Sequence, residues 1–148
     1  MRNLIFIFLF TVTSSFSQTK DYNIKKGYVA NGYDVVAYFE NKITEGNKEF
    51  IAKFEGVKYK FSSQKNLNTF NENPSKYAPQ YGGYCAYAIA IKSDKVSINP
   101  KAFEIRDGKL YLFYNAWGTN TLKLWQKEKP EALIKKADKN WEIIKFLK

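Results

Sequence analysis

The sequence contains no histidine, one cysteine and one methionine, and that methionine is the first residue. A closed zinc site takes four cysteine or histidine ligands, and a copper site takes several soft or imidazole ligands. The chain therefore lacks the donors for a conventional site of either kind. Cysteine catalysis usually needs a histidine base, and no paired acid and base stand out among the other residues, so we expect a non-catalytic protein.

A single cysteine also excludes an internal disulfide bond, so the fold must depend on its hydrophobic core. Aromatic residues make up 18% of the chain, which is enough to build one. A length of 148 residues predicts a single domain. No sequence repeat or domain linker is visible.

Long apolar runs are scarce, and the one at the N-terminus has the form of a signal peptide. Arg2 precedes residues 4–12, which are apolar except for Thr11, and small residues follow before Gln18. This pattern predicts export, with cleavage after Ser17. The run is shorter than the roughly 20 residues of a membrane-spanning helix, so we expect no transmembrane span and a periplasmic or secreted protein. Residues 18–31 read as a loose polar lead-in, and residues 32–148 as the domain.

Lysine and arginine outnumber aspartate and glutamate by 24 to 14, which gives a formal net charge of +10. The lysines are dispersed and form no block, which mainly indicates solubility. An exported basic protein is also attracted to anionic envelope surfaces such as lipid headgroups. We expect no nucleic-acid partner because the protein leaves the cytoplasm.

The hydrophobic pattern predicts an α+β fold with a small antiparallel sheet. Alternating apolar residues around Glu55-Gly56 and around Asp107-Gly108 predict two β-hairpins, over residues 50–61 and 103–114. A helix over residues 64–72 should follow the first hairpin, capped by Ser62 or Ser63. Asn73, before a proline, should end it.

The remaining segments predict strands and then helices. Residues 86–91 read as a buried strand, residues 96–98 as a short one, and Asn99-Pro100 as a break. Two C-terminal helices, over residues 118–129 and from Pro130 onward, should pack on the sheet. Three tryptophans at helical spacing are expected in the core: Trp117, Trp125 and Trp141.

Residues 73–88 form the stretch around which the chain is expected to be organised. They contain Cys85, the pair Gly82 and Gly83, and four tyrosines, Tyr77, Tyr81, Tyr84 and Tyr87. Cys85 is expected either to pack as a small hydrophobe or to act as a thiol that binds a soft ion, accepts haem or joins a homodimer by a disulfide. The tyrosines either pack in the core or line a ligand pocket together with the turn amides. Asp34 either caps backbone amides or binds a ligand.

Several separated blocks in this order resemble the YHS-domain family, in its exported single-domain bacterial form. They are residues 33–39, 59–63, 70–77, 81–87 and 107–112, and the match runs from about Gly32 to Trp141. The wider family consists of heavy-metal-binding, treble-clef-like modules. The cysteines of its metal-binding members correspond here to residues 34–37 and 61–64, which contain none.

The resemblance implies a non-catalytic binding module of the cell envelope for a metal ion or a small ligand. Copper or zinc would then bind through Cys85, with Asp34, Tyr81, Gly82, Gly83 and Tyr84 as further ligand-binding residues. The alternative is a structural or interaction protein that has lost ligand binding and docks on another envelope component.

The N-terminal pattern gives the first prediction, that the mature protein begins at Gln18. N-terminal sequencing of the secreted or periplasmic fraction measures this directly. Mature material that retained Met1 would contradict it.

Overall fold

A computed structural model describes residues 19–148 of the chain. The predicted signal peptide, residues 1–17, lies outside the described residues. The fold is α+β, as predicted, and its strands form three two-stranded antiparallel sheets. Among residues 19–148, none of the helices has the length and apolar character needed to cross a bilayer.

Each strand of the described residues pairs with one neighbour in sequence, and an isolated parallel bridge joins Cys85 to Leu112. β1 (Asn47–Phe54) pairs with β2 (Val57–Phe61), and β3 (Asn99–Arg106) pairs with β4 (Lys109–Phe113). These two hairpins confirm the prediction. A third, short hairpin of β5 (Asn115–Ala116) and β6 (Thr119–Asn120) was not predicted.

In each of the three hairpins the turn has two central residues, and the second of them is glycine. The central φ angles are 48° and 82° at Glu55-Gly56, 50° and 70° at Asp107-Gly108, and 51° and 77° at Trp117-Gly118. Two successive positive φ angles define the type I′ turn, whose twist matches that of the flanking strands. The first turn residue, and not only the glycine, is therefore left-handed.

The predicted helix after the first hairpin is confirmed as α1 (Gln64–Glu72). The amide of Asn66 donates to the Ser63 hydroxyl at 3.2 Å, so Ser63 is the N-cap. Asn73 ends α1 and caps α2 (Pro74–Tyr77), because its side chain accepts from the amide of Lys76 at 3.3 Å. The chain then enters a 3₁₀ segment, Gln80–Gly83.

The strand prediction for residues 86–91 is wrong, because this segment forms α3 (Ala86–Lys92). Ala86, Ala88 and Ala90 alternate with larger residues, which imitates the two-residue period of a strand, but alanine favours helices and is depleted in strands. The side-chain amide of Asn140 donates to the carbonyls of Ile89 at 2.9 Å and Ala90 at 3.2 Å. These bonds satisfy carbonyl groups near the end of the helix.

Two further assignments differ from the prediction. Residues 96–98 have no regular structure, and Asn99-Pro100 begins β3 instead of breaking the chain. The pairing register of β3 with β4 shifts between Asn99 and Phe103, and Pro100 lies in this irregular part. A proline is accommodated there because it does not need to donate a ladder hydrogen bond.

The C-terminal helices are α4 (Thr121–Lys127) and α5 (Pro130–Ile144). The predicted inward residues of α5 are buried: Leu133, Ala137, Trp141 and Ile144. They form one hydrophobic cluster with α3, α4 and β4, while a second cluster lies between the first hairpin, α1 and the N-terminal residues. Trp125 and Trp141 are buried, but Trp117 is 96% exposed because it occupies a hairpin turn and not a helix. Its core assignment is wrong.

The lead-in predicted to be loose is packed against the domain. Tyr22 is 6% exposed, and its hydroxyl donates to Glu55. The amide of Asp21 donates to the carbonyl of Lys145 at 2.7 Å, and the amide of Asn23 donates to the carbonyl of Gly82 at 2.9 Å. The described N-terminal residues therefore join the end of α5.

The turn at Asp107-Gly108 gives a prediction about stability. Gly108 has φ +70° and open space around the position of a side chain, so Gly108→Val meets only a conformational penalty. The left-handed conformation costs an L-residue about 1–2 kcal/mol, and a β-branched residue tolerates it least. Urea unfolding should show a lower midpoint for Gly108→Val and little change for the control Lys109→Ala. Equal midpoints would contradict the turn assignment.

Candidate functional site

Cys85 lies between the 3₁₀ segment Gln80–Gly83 and α3, and its side chain is fully buried. Its amide donates to the carbonyl of Val96 at 2.9 Å. Its Sγ lies 3.3 Å from Oγ1 of Thr121, whose hydroxyl donates to the carbonyl of Tyr114 at 2.8 Å. Because the threonine has one hydroxyl proton, the thiol must be the donor to Thr121.

A cavity of about 370 Å³ has Cys85 among its lining residues. Its volume is within the range of roughly 300–1,000 Å³ that is typical of small-molecule sites. The walls come from Cys85 and α3, from the chain before β3, and from the third hairpin with α4. The lining residues are mostly apolar or aromatic: Cys85, Tyr87, Ala88, Ile91, Lys92, Val96, Tyr114, Thr119, Thr121 and Leu124.

The polar groups of the cavity are few. Thr121 is bonded to Tyr114, and the Tyr87 hydroxyl donates to Glu128 at 2.9 Å. Burial, followed by this bond to Glu128, raises the pKa of Tyr87, so its hydroxyl stays protonated. Lys92 is exposed and lines the same cavity, so it supplies a positive charge.

The other residues of the predicted site do not join Cys85 at this cavity. The Tyr81 hydroxyl donates to Asp138 at 2.9 Å, and the Tyr84 hydroxyl donates to Asp21 at 2.9 Å. Burial and then the bond to Asp138 raise the pKa of Tyr81 far above its usual value. By donating these hydrogen bonds, the two tyrosines hold α5 and the N-terminal residues against the turn that contains Gly82 and Gly83.

Gly82 is needed for close packing of the backbone, and Gly83 for its left-handed φ of +80°. A Cβ at Gly82 would lie 2.5 Å from the carbonyl oxygen of Asp21, and its φ is +61°. The Gly83 carbonyl accepts a bond from the Asn23 side chain at 3.0 Å. The turn Tyr81 to Tyr84 therefore anchors the lead-in to the domain.

Asp34 is not among the residues that line the cavity. Both oxygens of its carboxylate accept hydrogen bonds from the protein itself. Asp34 is completely buried. Oδ1 accepts from the amides of Val36 at 2.9 Å and Ala37 at 3.2 Å. Oδ2 accepts from the Ser62 amide at 2.8 Å, the Ser62 hydroxyl at 2.6 Å and the Asn66 side chain at 2.8 Å.

The loops that contain Asp34 and Cys85 share one backbone conformation. Ala30, Asn31 and Gly32 have φ angles of 52°, 55° and 82°, and the corresponding angles at Tyr81, Gly82 and Gly83 are 53°, 61° and 80°. In each loop an extended tyrosine follows, Tyr33 or Tyr84, and then Asp34 or Cys85. The sequence signal is the pair Gly-Tyr followed by Asp or Cys, which was not recognised as a repeat.

The residues around Cys85 do not fit a copper or zinc site. The side-chain heteroatom that contacts Sγ is a threonine hydroxyl, which is not a preferred ligand of either soft or borderline metals. Within residues 19–148 no three His, Cys, Asp or Glu side chains come together as a group that could hold a metal. A disulfide-linked homodimer would also require local opening, because the sulfur is fully buried.

Sequence reasoning missed the part of the cavity that α4 supplies, which is Thr121 and Leu124. Residues 118–129 were predicted as one helix, whereas the helix begins at Thr121 and Asn120 is its N-cap. The Asn120 side chain accepts from the amide of Lys123 at 3.3 Å. The run Thr119-Asn120-Thr121 contains cap residues and is the signal that places this start.

The five bonds to Asp34 predict a large loss of stability for Asp34→Ala. Removing the carboxylate leaves buried donors on both sides without an acceptor, which costs about 1–3 kcal/mol for each donor left unsatisfied. Thermal or urea unfolding measures the difference, with Asp94→Ala, at an exposed aspartate, as the matched control. A similar small effect in both variants would contradict the role of Asp34 as a structural acceptor.

Comparison of the chain with protein-family models, with curated proteins and with solved structures finds no match. A function therefore has to be argued from the geometry of the cavity and from the surface.

Proposed function

We propose that this protein is an exported, non-catalytic binding module of YHS type that holds a small apolar ligand beside Cys85. The cavity of about 370 Å³ with mostly apolar walls is the observation that carries the proposal. It is built from three separate parts of the chain, which the fold holds in place through α3 and α4.

The lining specifies the chemistry of the ligand. Ala88, Ile91, Val96 and Leu124 offer aliphatic contacts, and burying apolar surface against them stabilises a complex by about 25 cal/mol per Å². Lys92 can meet an anionic or polar end of the same molecule. We therefore propose an apolar body with one polar or anionic group as the ligand class.

The polar groups of the cavity support binding and not catalysis. The Cys85 thiol donates to Thr121, and the Thr121 hydroxyl donates to Tyr114, so both hydrogens are engaged. The Tyr87 hydroxyl is held as a donor to Glu128. An activated cysteine needs a neighbouring base, and the chain has no histidine to serve as one.

The alternative function, docking on another envelope component, is favoured by a different observation. Three apolar side chains near the end of the chain are exposed: Ile143 by 66%, Phe146 by 41% and Leu147 by 57%. An interaction protein without a ligand would use such a surface and leave the cavity empty.

The binding proposal predicts that mature protein takes up one molecule of 1-anilinonaphthalene-8-sulfonate, an apolar probe with one anionic group. Ile91 is 45% exposed and lines the cavity, so Ile91→Glu should weaken binding at least about tenfold without unfolding the protein, because a carboxylate is costly to desolvate. The control Ile143→Glu makes the same chemical change on α5, outside the cavity. Fluorescence titration measures both, and circular dichroism confirms that the variants are folded.

Equal probe binding by wild type and Ile91→Glu would contradict a ligand in this cavity. Weakening by Ile143→Glu alone would favour the docking alternative. Copper(I) and zinc are titrated into the reduced wild type and into Cys85→Ser in parallel. Tight uptake of one metal ion per wild-type monomer, lost in Cys85→Ser, would overturn the apolar-ligand proposal in favour of a metal module.

A further inference from the structure

The tip of the third hairpin carries a tryptophan that contacts almost nothing in its own chain. Trp117 is 96% exposed and is the first central residue of the turn between β5 and β6. Trp125 and Trp141, by contrast, are 0% and 7% exposed. The indole of Trp117 therefore adds nothing to the hydrophobic core.

Two physical preferences oppose a tryptophan at this position. Its φ is 51°, and a type I′ turn favours asparagine, aspartate or glycine there, whereas a bulky residue with positive φ is an outlier. Full exposure of an indole also forgoes one of the largest burial gains that a side chain can make. Strained positions of this kind cluster at functional sites.

The surface beside Trp117 is basic. A groove of about 540 Å³ runs from Trp117 past Tyr33, and it shares Tyr33 with a second groove of about 580 Å³. Both are lined by lysines, and the one carboxylate among their lining residues is Glu45, which lies 3.8 Å from the amine of Lys60. We call this surface the basic face, and its lysines are Lys25, Lys26, Lys48, Lys60 and Lys101.

We propose that the basic face binds the surface of a phospholipid bilayer with anionic headgroups, and that Trp117 inserts at the boundary between headgroups and acyl chains. Tryptophan prefers this boundary because its ring is apolar and its N–H is polar. Each lysine near an anionic membrane surface strengthens binding about fivefold. This site borders the Cys85 cavity, because Tyr114 lines both, but Trp117 and the lysines of the basic face do not line the cavity. The proposal therefore does not rest on the cavity's ligand.

The exposure of the ring distinguishes insertion from stacking. A tryptophan that stacks on a sugar or a base normally rests on the protein with one face and offers the other. Trp117 is 96% exposed, so both faces and the edge of its ring are open. That geometry suits a side chain that becomes surrounded by lipid, and the lysines provide the charge complementary to phosphate headgroups.

Vesicle binding by the mature protein tests the proposal. Vesicles of phosphatidylcholine and phosphatidylglycerol in equal amounts should bind the protein in co-sedimentation, and vesicles of phosphatidylcholine alone should bind it far less. Because Trp125 and Trp141 are buried, iodide quenching of tryptophan fluorescence reports mainly Trp117. Anionic vesicles should shift the emission to shorter wavelength and protect it from iodide.

The variant Trp117→Asn separates binding from folding, because Asn-Gly is a preferred type I′ pair. We expect a melting temperature equal to or above that of wild type and a loss of vesicle binding of at least about tenfold, since the interfacial anchor is gone. The control Ile143→Asn removes another exposed apolar side chain, on α5, and should bind vesicles as wild type does. If Trp117→Asn did not fold, protection of wild-type Trp117 from iodide would still decide the question.

The contribution of the basic face is tested by replacing two of its lysines and, as a control, two lysines elsewhere on the protein. The double variant Lys25→Gln and Lys101→Gln should weaken vesicle binding about 25-fold, from about fivefold per lysine. The control double variant Lys135→Gln and Lys136→Gln changes two exposed lysines of α5.

Equal weakening by both pairs would overturn the proposal, because binding would then follow net charge and not the basic face. Unchanged binding by Trp117→Asn would overturn the insertion of Trp117. Protection of Trp117 from iodide by dextran sulfate or inorganic phosphate, without protection by vesicles, would also overturn it, since the partner would then be a soluble anion.

Discussion

The buried carboxylate of Asp34 is the interaction on which the N-terminal half of the structure depends. It joins the segment after Gly32 to the end of the first hairpin and the first turn of α1 through five accepted hydrogen bonds. These donors are amides, a hydroxyl and a side-chain amide, and none carries a full charge. A buried carboxyl group is tolerated here because both of its oxygens accept hydrogen bonds. The hydrophobic cluster around Tyr38, Phe61 and Phe70 packs against this junction.

The equivalent position in the second loop has a different chemistry and therefore a different role. Cys85 follows the same left-handed run as Asp34 and is the N-cap residue of α3, but its side chain makes no capping hydrogen bond. Its thiol points to Thr121 instead, and this direction leaves a cavity between α3 and α4. The same backbone conformation thus lies at a hydrogen-bonded polar junction around Asp34 and at the edge of a cavity around Cys85.

The local parts of the fold could be predicted, because the residues that determine them are adjacent. A few adjacent residues determine the conformation of two hairpin turns and of one helix start, namely Glu55-Gly56, Asp107-Gly108 and the N-cap Ser63. Residues 86–91 carry conflicting local signals, an alternation typical of a strand and alanines that favour a helix. The packing of α3 against α5 and the bonds from Asn140 decide for helix. The cavity was unpredictable for the same reason: it needs Cys85, Val96 and Leu124, which are distant in sequence. The core prediction for Trp117 is wrong because its spacing to Trp125 imitates that of a helix. The following residue, Gly118, is the local signal of a turn.

The pairing of the two ends of the described chain bears on how the protein reaches its folded form. Asp21 is held by the carbonyl of Lys145 and by Lys95, whose amine lies 2.8 Å from its carboxylate. Burial opposes ionisation of this carboxyl, but the bonds from Lys95 and Tyr84 outweigh it and lower its pKa. During synthesis the N-terminal residues appear before their partners at the end of α5. Each hairpin can form as soon as its own residues are available. The contacts between Asp21 and Lys145 can form only after the last residues of α5 have been added.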